Sequence, residues 1–454
     1  MSISTLIKKY EQRADYVEVR RVESKETTIR LDNGELVTFS PSEESGYSVR
    51  ILYRGGWGFA STNGELSEEL FKKALKMARS LGKGKRTRVE KPSINRSFEF
   101  KQQEKLEDVD ISDKLDFVKE LDRWVKKLSK KVKSRQVVYL DSVVEKTVVD
   151  SFGNEVRERL PRLRVGVSVV AKQGTNMQES FEAFDRIGGY EVIKSFDWQR
   201  LGVDAVNKAV SLLQARQPPS GKFKILVDQE LGGVFIHEAV GHACESDNLL
   251  FDSTIMKGLE GKRVGSRNLT VIDDPTLIPE FGAYFVDDEG VKAKKVVLIK
   301  NGVFKEYMTN LETSSKFGLK LNGHARAQSY ADEPLVRMSC TYIAPGDWKF
   351  EELMEELKDG LYLKGFKGGQ VDPVEGTFLF TAQMGYVVKN GEIQHLIKDV
   401  SIGGFTLELL KNIVAVGDDL EFKGGFCGKG GQRMPNTTGS PHVLINDALV
   451  GGKE

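Results

Sequence analysis

Cysteine is scarce: three residues in 454, at positions 244, 340 and 427. An odd, sparse set cannot build a disulfide framework and fits a reducing compartment. No stretch of eighteen apolar residues occurs, so no spanning helix is expected. The opening Met1-Ser2-Ile3-Ser4-Thr5-Leu6 lacks the apolar core of a signal peptide, and a cytoplasmic protein is expected. Charge is balanced, with 67 basic and 66 acidic side chains for a net of +1. No global field therefore draws the chain to nucleic acid or to an anionic membrane, and neither is expected as a partner. A phosphate-binding Gly-Lys-Ser/Thr loop and a carboxylate cluster of the paired-metal phosphatase kind are both missing, which lowers those chemistries. No fixed-period repeat marks a solenoid.

What remains is an ordinary globular composition, 39% hydrophobic and 29% charged. The length exceeds one core, so two domains, or three, are expected. Residues 16–28 and 47–53 read as strands around an Asn33-Gly34 hairpin turn. Helical spacing covers residues 66–81, 111–132 and 198–215. Strands 137–142, 147–149 and 163–171 lie between the last two of these. The basic loop 83–88 reads as a solvated linker. Gln217-Pro218-Pro219-Ser220-Gly221 is the clearest boundary, dividing an N-terminal α+β domain (1–216) from a C-terminal domain (222–454). Beyond it a strand at 223–227 leads into a helix. The rest is mostly antiparallel strand and turn, with Asn301-Gly302 and Asn390-Gly391 as hairpin signals and one helix at 350–361. The expected class is α+β, with a largely antiparallel C-terminal domain that carries a metal-site helix.

Histidine is scarce as well, five in all, yet His237 and His242 sit in one six-residue stretch, His237-Glu238-Ala239-Val240-Gly241-His242. The zinc helix His-Glu-x-x-His places its ligands four apart on one face. Five apart, a regular α-helix would separate the imidazoles by about 140°. One π-type turn, at roughly 4.4 residues per turn, brings that to about 50°. A π-bulge is therefore expected between the two histidines, with Gly241 supplying backbone freedom. Glu238 is the natural general base for a water activated by the ion.

A catalytic zinc takes three protein ligands and keeps a fourth position open. Cys244 would point nearly opposite His242. Cys427 is the better candidate, in a glycine-rich loop (residues 424–432) where Lys429 would favour the thiolate. His442, Glu245 and Asp247 are alternatives.

These residues resemble the TldD/PmbA family of proteins, and its TldD-like metallopeptidase branch in particular. The resemblance rests on Phe235-Ile236-His237-Glu238-Ala239-Val240-Gly241-His242 with Glu245 and Asp247, and on Phe285-Val286-Asp287-Asp288-Glu289-Gly290-Val291. It also rests on Arg337-Met338-Ser339-Cys340-Thr341-Tyr342-Ile343, on Cys427-Gly428-Lys429-Gly430-Gly431-Gln432 and, upstream, on Arg186-Ile187-Gly188-Gly189-Tyr190-Glu191. It implies zinc on His237, His242 and Cys427, with Glu238 as the motif glutamate. It implies proteolysis of small or unfolded polypeptides, and a dimer with a motif-less PmbA-like (TldE) subunit or with a second copy. Cys340 and His324 stand where the family pattern leads one to expect Asn, and His324 reads as a loop substitution. Two other functions compete: a non-catalytic partner subunit with a closed structural zinc, and a metal hydrolase acting on something other than peptides.

Overall fold

The structure, a computed structural model, describes residues 2–451. The chain opens with α1 (Ile3–Glu11), β1 (Tyr16–Asp32), β2 (Glu35–Tyr53), β3 (Gly56–Thr62) and α2 (Glu68–Leu81). It continues through β4 (Asn95–Glu99), α3 (Ile111–Leu128), β5 (Val132–Asp150), β6 (Glu155–Gln173) and β7 (Asn176–Ile187) to α4 (Glu191–Ser195) and α5 (Trp198–Leu212). One sheet in the order β3-β2-β1-β5-β6-β4, with β7 also on β6, joins all seven strands. Asn33 and Gly34 turn β1 into β2 with φ of 55° and 92°, as the Asn-Gly turn requires. Helices α1 and α2 cover one stretch of the sheet through Leu6, Phe71, Val17 and Ile51, and α3 and α5 cover another through Leu121, Val206, Tyr139 and Val165.

The second half starts with β8 (Gly221–Val227) and α6 (Gln229–Ile236). It passes through the short β9 (Val271–Asp273), β10 (Val296–Lys300), β11 (Val303–Phe304), α7 (Leu311–Phe317), β12 (Ala325–Arg326), β13 (Leu335–Val336) and β14 (Cys340–Ile343). After α8 (Phe350–Leu357) come β15 (Gly360–Asp372), β16 (Thr377–Lys389), β17 (Glu392–Phe405), α9 (Thr406–Lys411) and β18 (Ile413–Val416). β19 (Glu421–Lys429), β20 (Gln432–Ser440) and β21 (Val443–Gly451) complete the chain. Strands β17-β16-β15-β8-β21 form a sheet that closes on itself, because β17 also pairs with β21, giving a five-stranded barrel. A second sheet runs β11-β10-β9-β14-β20-β19. Helix α6 lies between them, against β15 of the barrel and against β14, β19 and β20. Gly232 and Gly233 permit that approach: a Cβ on Gly232 would stand 2.6 Å from Ser440 Oγ. Among the described residues no helix is long and apolar enough to cross a membrane.

The mixed α+β class is as expected, but several boundaries differ. The third helix ends at Leu128 and the fifth at Leu212. The two strands expected at 137–142 and 147–149 are one nineteen-residue strand, β5, paired with β1 on one side and β6 on the other. The helix expected over 350–361 stops at Leu357, because Lys358 turns to φ 52° and Gly360 starts β15. The glycine-rich loop 424–432 is instead the β19–β20 hairpin, with Cys427 directly opposite Met434. Buried polar contacts lock the two halves together. Arg50 of β2 pairs with Glu289, Arg20 of β1 donates to the Ser329 and Asp332 carbonyls, and Lys146 of β5 reaches Val286 O at 2.7 Å.

Candidate metal centre

Helix α6 is capped by Asp228, whose side chain accepts from Leu231 N. It passes without a break into a single π-turn over His237–Gly241, closed by a bond from His242 N to His237 O. The expected bulge is therefore present. It sets the two imidazoles on one side, with ring centroids 5.3 Å apart and planes at 80°. The reason given for Gly241 needs correcting. Its φ of −54° and ψ of −57° suit any residue, so backbone freedom is not its role. It is small because a Cβ there would lie 1.9 Å from Met338 Sδ. Gly241→Ala must push Met338 out of a packed site and should lower the unfolding free energy by about 1–3 kcal/mol, read as a shift of the denaturant midpoint.

The β19–β20 hairpin brings the third donor. His237, His242 and Cys427 each offer one ligand atom, and all three lie within 4.8 Å of one another. Cys427 Sγ is 3.4 Å from His242 Nε2, across 185 residues of sequence. The main chain at Cys427 is fixed by Arg337, whose Nη2 donates to its carbonyl at 2.6 Å. The other side of each imidazole is engaged. His242 Nδ1 meets Glu245 Oε2 at 2.9 Å, and Asn436 Nδ2 lies 3.3 Å from His237 Nδ1. Asn436 Oδ1 is sealed and unbonded in this orientation. Turned over, the amide would accept from His237 Nδ1–H and leave Nε2 with its lone pair, the tautomer a metal ligand needs.

Electrostatics suits a cation. Burial pushes the Cys427 thiol up, but hydrogen bonds and charge from His237 and His242 outweigh it and bring the group down to about 5. Burial disfavours the charged His242 ring, yet Glu245 and Cys427 raise it well above the usual range. Two imidazoles and one thiolate form a borderline-soft N₂S set, which fits zinc. In metal-free protein one thiolate per chain should persist down to about pH 5 and be lost below it, read by thiolate absorbance and missing in Cys427→Ser. Cys244 and Cys340 are fully buried thiols pushed upward and stay protonated through that range.

The remaining candidates fall outside the cluster. Cys244 packs in the core around α6. His442 Nε2 bonds Tyr362 OH at 2.8 Å, and its Nδ1 faces Asp419 at 2.5 Å. His324 Nε2 bonds Asp273 at 3.0 Å, fully buried, consistent with a non-ligand. Glu245 and Asp247 are supports and not neighbours of the open side. Lys429, expected to favour the Cys427 thiolate, instead bridges these two carboxylates, at 3.0 Å from Glu245 and 2.7 Å from Asp247. Burial pushes the Glu245 carboxyl up, but Lys429 and His242 more than offset it and hold it at about 2. Asp247 stays above its usual value because burial and Glu245 outweigh Lys429. Asn436 was not singled out in the sequence, where nothing sets an asparagine in a strand apart. Glu238 lies beside the donors, its Oε2 3.7 Å from His242 Nε2 and its side chain 34% exposed.

Comparison with known proteins gives the family. Models of the PmbA/TldA metallopeptidase match along nearly the whole chain: domain 1 over residues 17–81, the central domain over 104–213 and the C-terminal domain over 220–452. The chain belongs to the PmbA/TldD family of metallopeptidases. It is 38% identical to a metalloprotease of Methanothermobacter thermautotrophicus, over 99% of this chain and 98% of that protein. It is 32% identical to a zinc metalloprotease TldD homolog of Saccharolobus solfataricus, over 98% and 99% of the two chains. The crystal structure of TldE from Thermococcus kodakarensis shares the fold, with a TM-score of 0.80 at 19% identity over 99% of this chain and all of that one. As a TldD homologue, this chain carries its candidate metal site at His237, His242 and Cys427.

Proposed function

We propose that this TldD-type protein is a zinc peptidase in which His237, His242 and Cys427 hold the ion and Glu238 is the general base. The observation that carries the reading is the placing of a partly open carboxylate, Glu238, 3.7 Å from the ring nitrogen that faces the thiol. Zinc, when bound, supplies Lewis acidity toward water and toward a peptide carbonyl. Glu238 takes the proton of the attacking water at Oε2 and passes it to the leaving amine. Glu245 and the turned Asn436 amide hold the two imidazoles in the tautomer that keeps Nε2 free. Among the described residues the cluster gathers three donors and no fourth, which favours an open catalytic site over a closed structural one.

The substrate reading is a small or unfolded polypeptide. β19, which carries Cys427, is the terminal strand of its sheet, so its outer edge has no strand partner among the described residues and could take an extended peptide. Pairing of this kind binds main chain and is sparing in sequence choice. The shared fold with a TldE supports a dimer with a TldE-like subunit as the working assembly. The test is metal analysis beside hydrolysis of an unfolded polypeptide, alone and with a TldE-like protein added. Wild type should hold about one zinc per chain and cleave, and His242→Ala should lose both. Cleavage that survives full removal of the metal would sink the reading.

A further inference from the structure

Between the two halves lies a cavity of about 340 Å³, walled by β5 and β6 on one side and by residues 281–288, 326–329 and the β19–β20 hairpin on the other. Two guanidinium groups line it, Arg162 of β6 and Arg326 of β12, with 8% and 3% of their surface exposed. Both differ from the other buried cations of this seam. Arg20 has Asp288 at 3.4 Å, Lys146 has Glu158 at 3.0 Å, and Arg50 has Glu289. Among the described residues neither Arg162 nor Arg326 has a carboxylate oxygen within 4.0 Å. Among the described residues their hydrogen-bond acceptors are main-chain carbonyls: Phe281 and Ala283 for Arg162, and Met338 for Arg326, whose guanidinium also lies 5.0 Å over the Tyr284 ring. Among the described residues Arg162 Nη1 and Arg326 Nε and Nη2 have no hydrogen-bond partner, and none is sealed from solvent, on side chains that line the cavity.

Two neighbouring buried cations with no carboxylate in contact, and only the more distant Glu158 and Asp288 to offset them, are costly, and the cost falls when an anion sits between them. Burial and the facing Arg326 charge bring Arg162 down to about 10. The carboxylates of the wall are already engaged. Glu158 takes Lys146 and two main-chain N–H groups, Asp288 takes Lys146, Arg20 and Ala327 N, and Asp287 takes Val291 N and Ala325 N. Glu26 and Glu44 stand on the exposed rim.

The cavity adjoins the metal donors. Its wall includes Met434, the cross-strand partner of Cys427, and Arg326 is tied to Met338, whose side chain presses on Gly241 between the histidines. We infer that Arg162 and Arg326 form an anion subsite that receives a carboxylate of the bound peptide, either its C-terminal carboxylate or an acidic side chain. The inference rests on the peptidase reading for the nature of the ligand, while the two unpaired cations stand without it.

The test is calorimetric binding of short alanine-rich peptides to the metal-free, full-length chain, where turnover cannot intervene. One pair has a free or an amidated C-terminus, and a second pair has an internal Glu or Gln. The expected result is about ten-fold or greater loss of affinity on neutralising one of the two carboxylates, with that difference collapsing in Arg162→Gln and Arg326→Gln. Loss on amidation names the C-terminal carboxylate, and loss on Glu-to-Gln exchange names the side chain. Equal affinity across both pairs in wild type, or no binding by any peptide, overturns the subsite whether or not the variants fold. Discriminating binding without cleavage of any peptide by the zinc-loaded chain, both alone and with a TldE-like subunit added, would instead overturn the peptidase reading. Cleavage without discrimination would do the reverse.

Discussion

Glu238→Gln is expected to slow peptide hydrolysis by about 10²–10⁴-fold while the chain keeps its zinc. The side chain is partly exposed and makes no contact that the fold depends on, so stability should hold within about 0.5 kcal/mol. Gln keeps the shape and loses only the capacity to take a proton. Metal content measured beside the rate decides the outcome. Unchanged zinc with lost activity assigns the base to Glu238, whereas unchanged activity would remove Glu238 from the chemistry. Lost zinc would mean that the carboxylate is a ligand and that the site is closed.

Lys429→Met should have the largest effect on stability. The ammonium sits 2.7 Å and 2.8 Å from the Asp247 carboxylate oxygens, 3.0 Å from Glu245 and 3.0 Å from Val336 O. Glu245 is fully buried and Asp247 nearly so. Removing the cation strands two carboxylates, for about 3–5 kcal/mol of lost stability. The pH dependence has a definite sign. In the folded chain Glu245 sits at about 2, below its ordinary 4.5, so its contribution is complete above 4.5 and fades as pH falls toward 2. In metal-free protein the gap between wild type and Lys429→Met should therefore narrow over that window. A second effect follows from the contact between Glu245 and His242 Nδ1. Zinc affinity should fall by about 10–100-fold, the usual cost of loosening a partner behind a histidine ligand. Unfolding curves and a zinc titration on one preparation read both. A gap that is small, or independent of pH, would show that the triad carries little.

How much of this was legible beforehand depended on whether the signal was local. The Asn-Gly pairs at 33, 301 and 390 were readable because the turn itself demands positive φ, and all six residues have it. The five-residue spacing of His237 and His242 was readable because helix geometry allows few ways to make two such rings converge. Cys427 could be named as a donor, but its setting was misread. Glycines at 424 and 425 look like a loop in sequence. In the fold both are strand residues, and Gly424 is kept small by what it faces, since a Cβ there would stand 2.2 Å from Asp185 of β7. Sequence distance sets Lys429 beside the thiolate; in the fold its ammonium sits on Glu245 and Asp247, from the segment that follows the π-turn. Arg162 and Arg326 carried no signal at all, because an unpaired cation is a fact about three-dimensional surroundings.

The closure of the barrel has a consequence for the order in which the molecule becomes competent. The strand that leads into α6 is held on one side by β15 and on the other by β21, where Gly221 meets Val450 and Ile225 meets Ile445. These pairings span more than two hundred residues, and the loop that joins them must be gathered before they reward the chain. The two histidines can form their π-turn early, since it is local. Cys427 can meet them only once β20 has found β14 and the seam has closed around α6. A half-folded chain thus has a helix with two rings and no thiol, and little power to retain a metal. On the proposed reading, proteolytic capacity therefore arrives only with the closing of this seam, after the chain that carries it has folded.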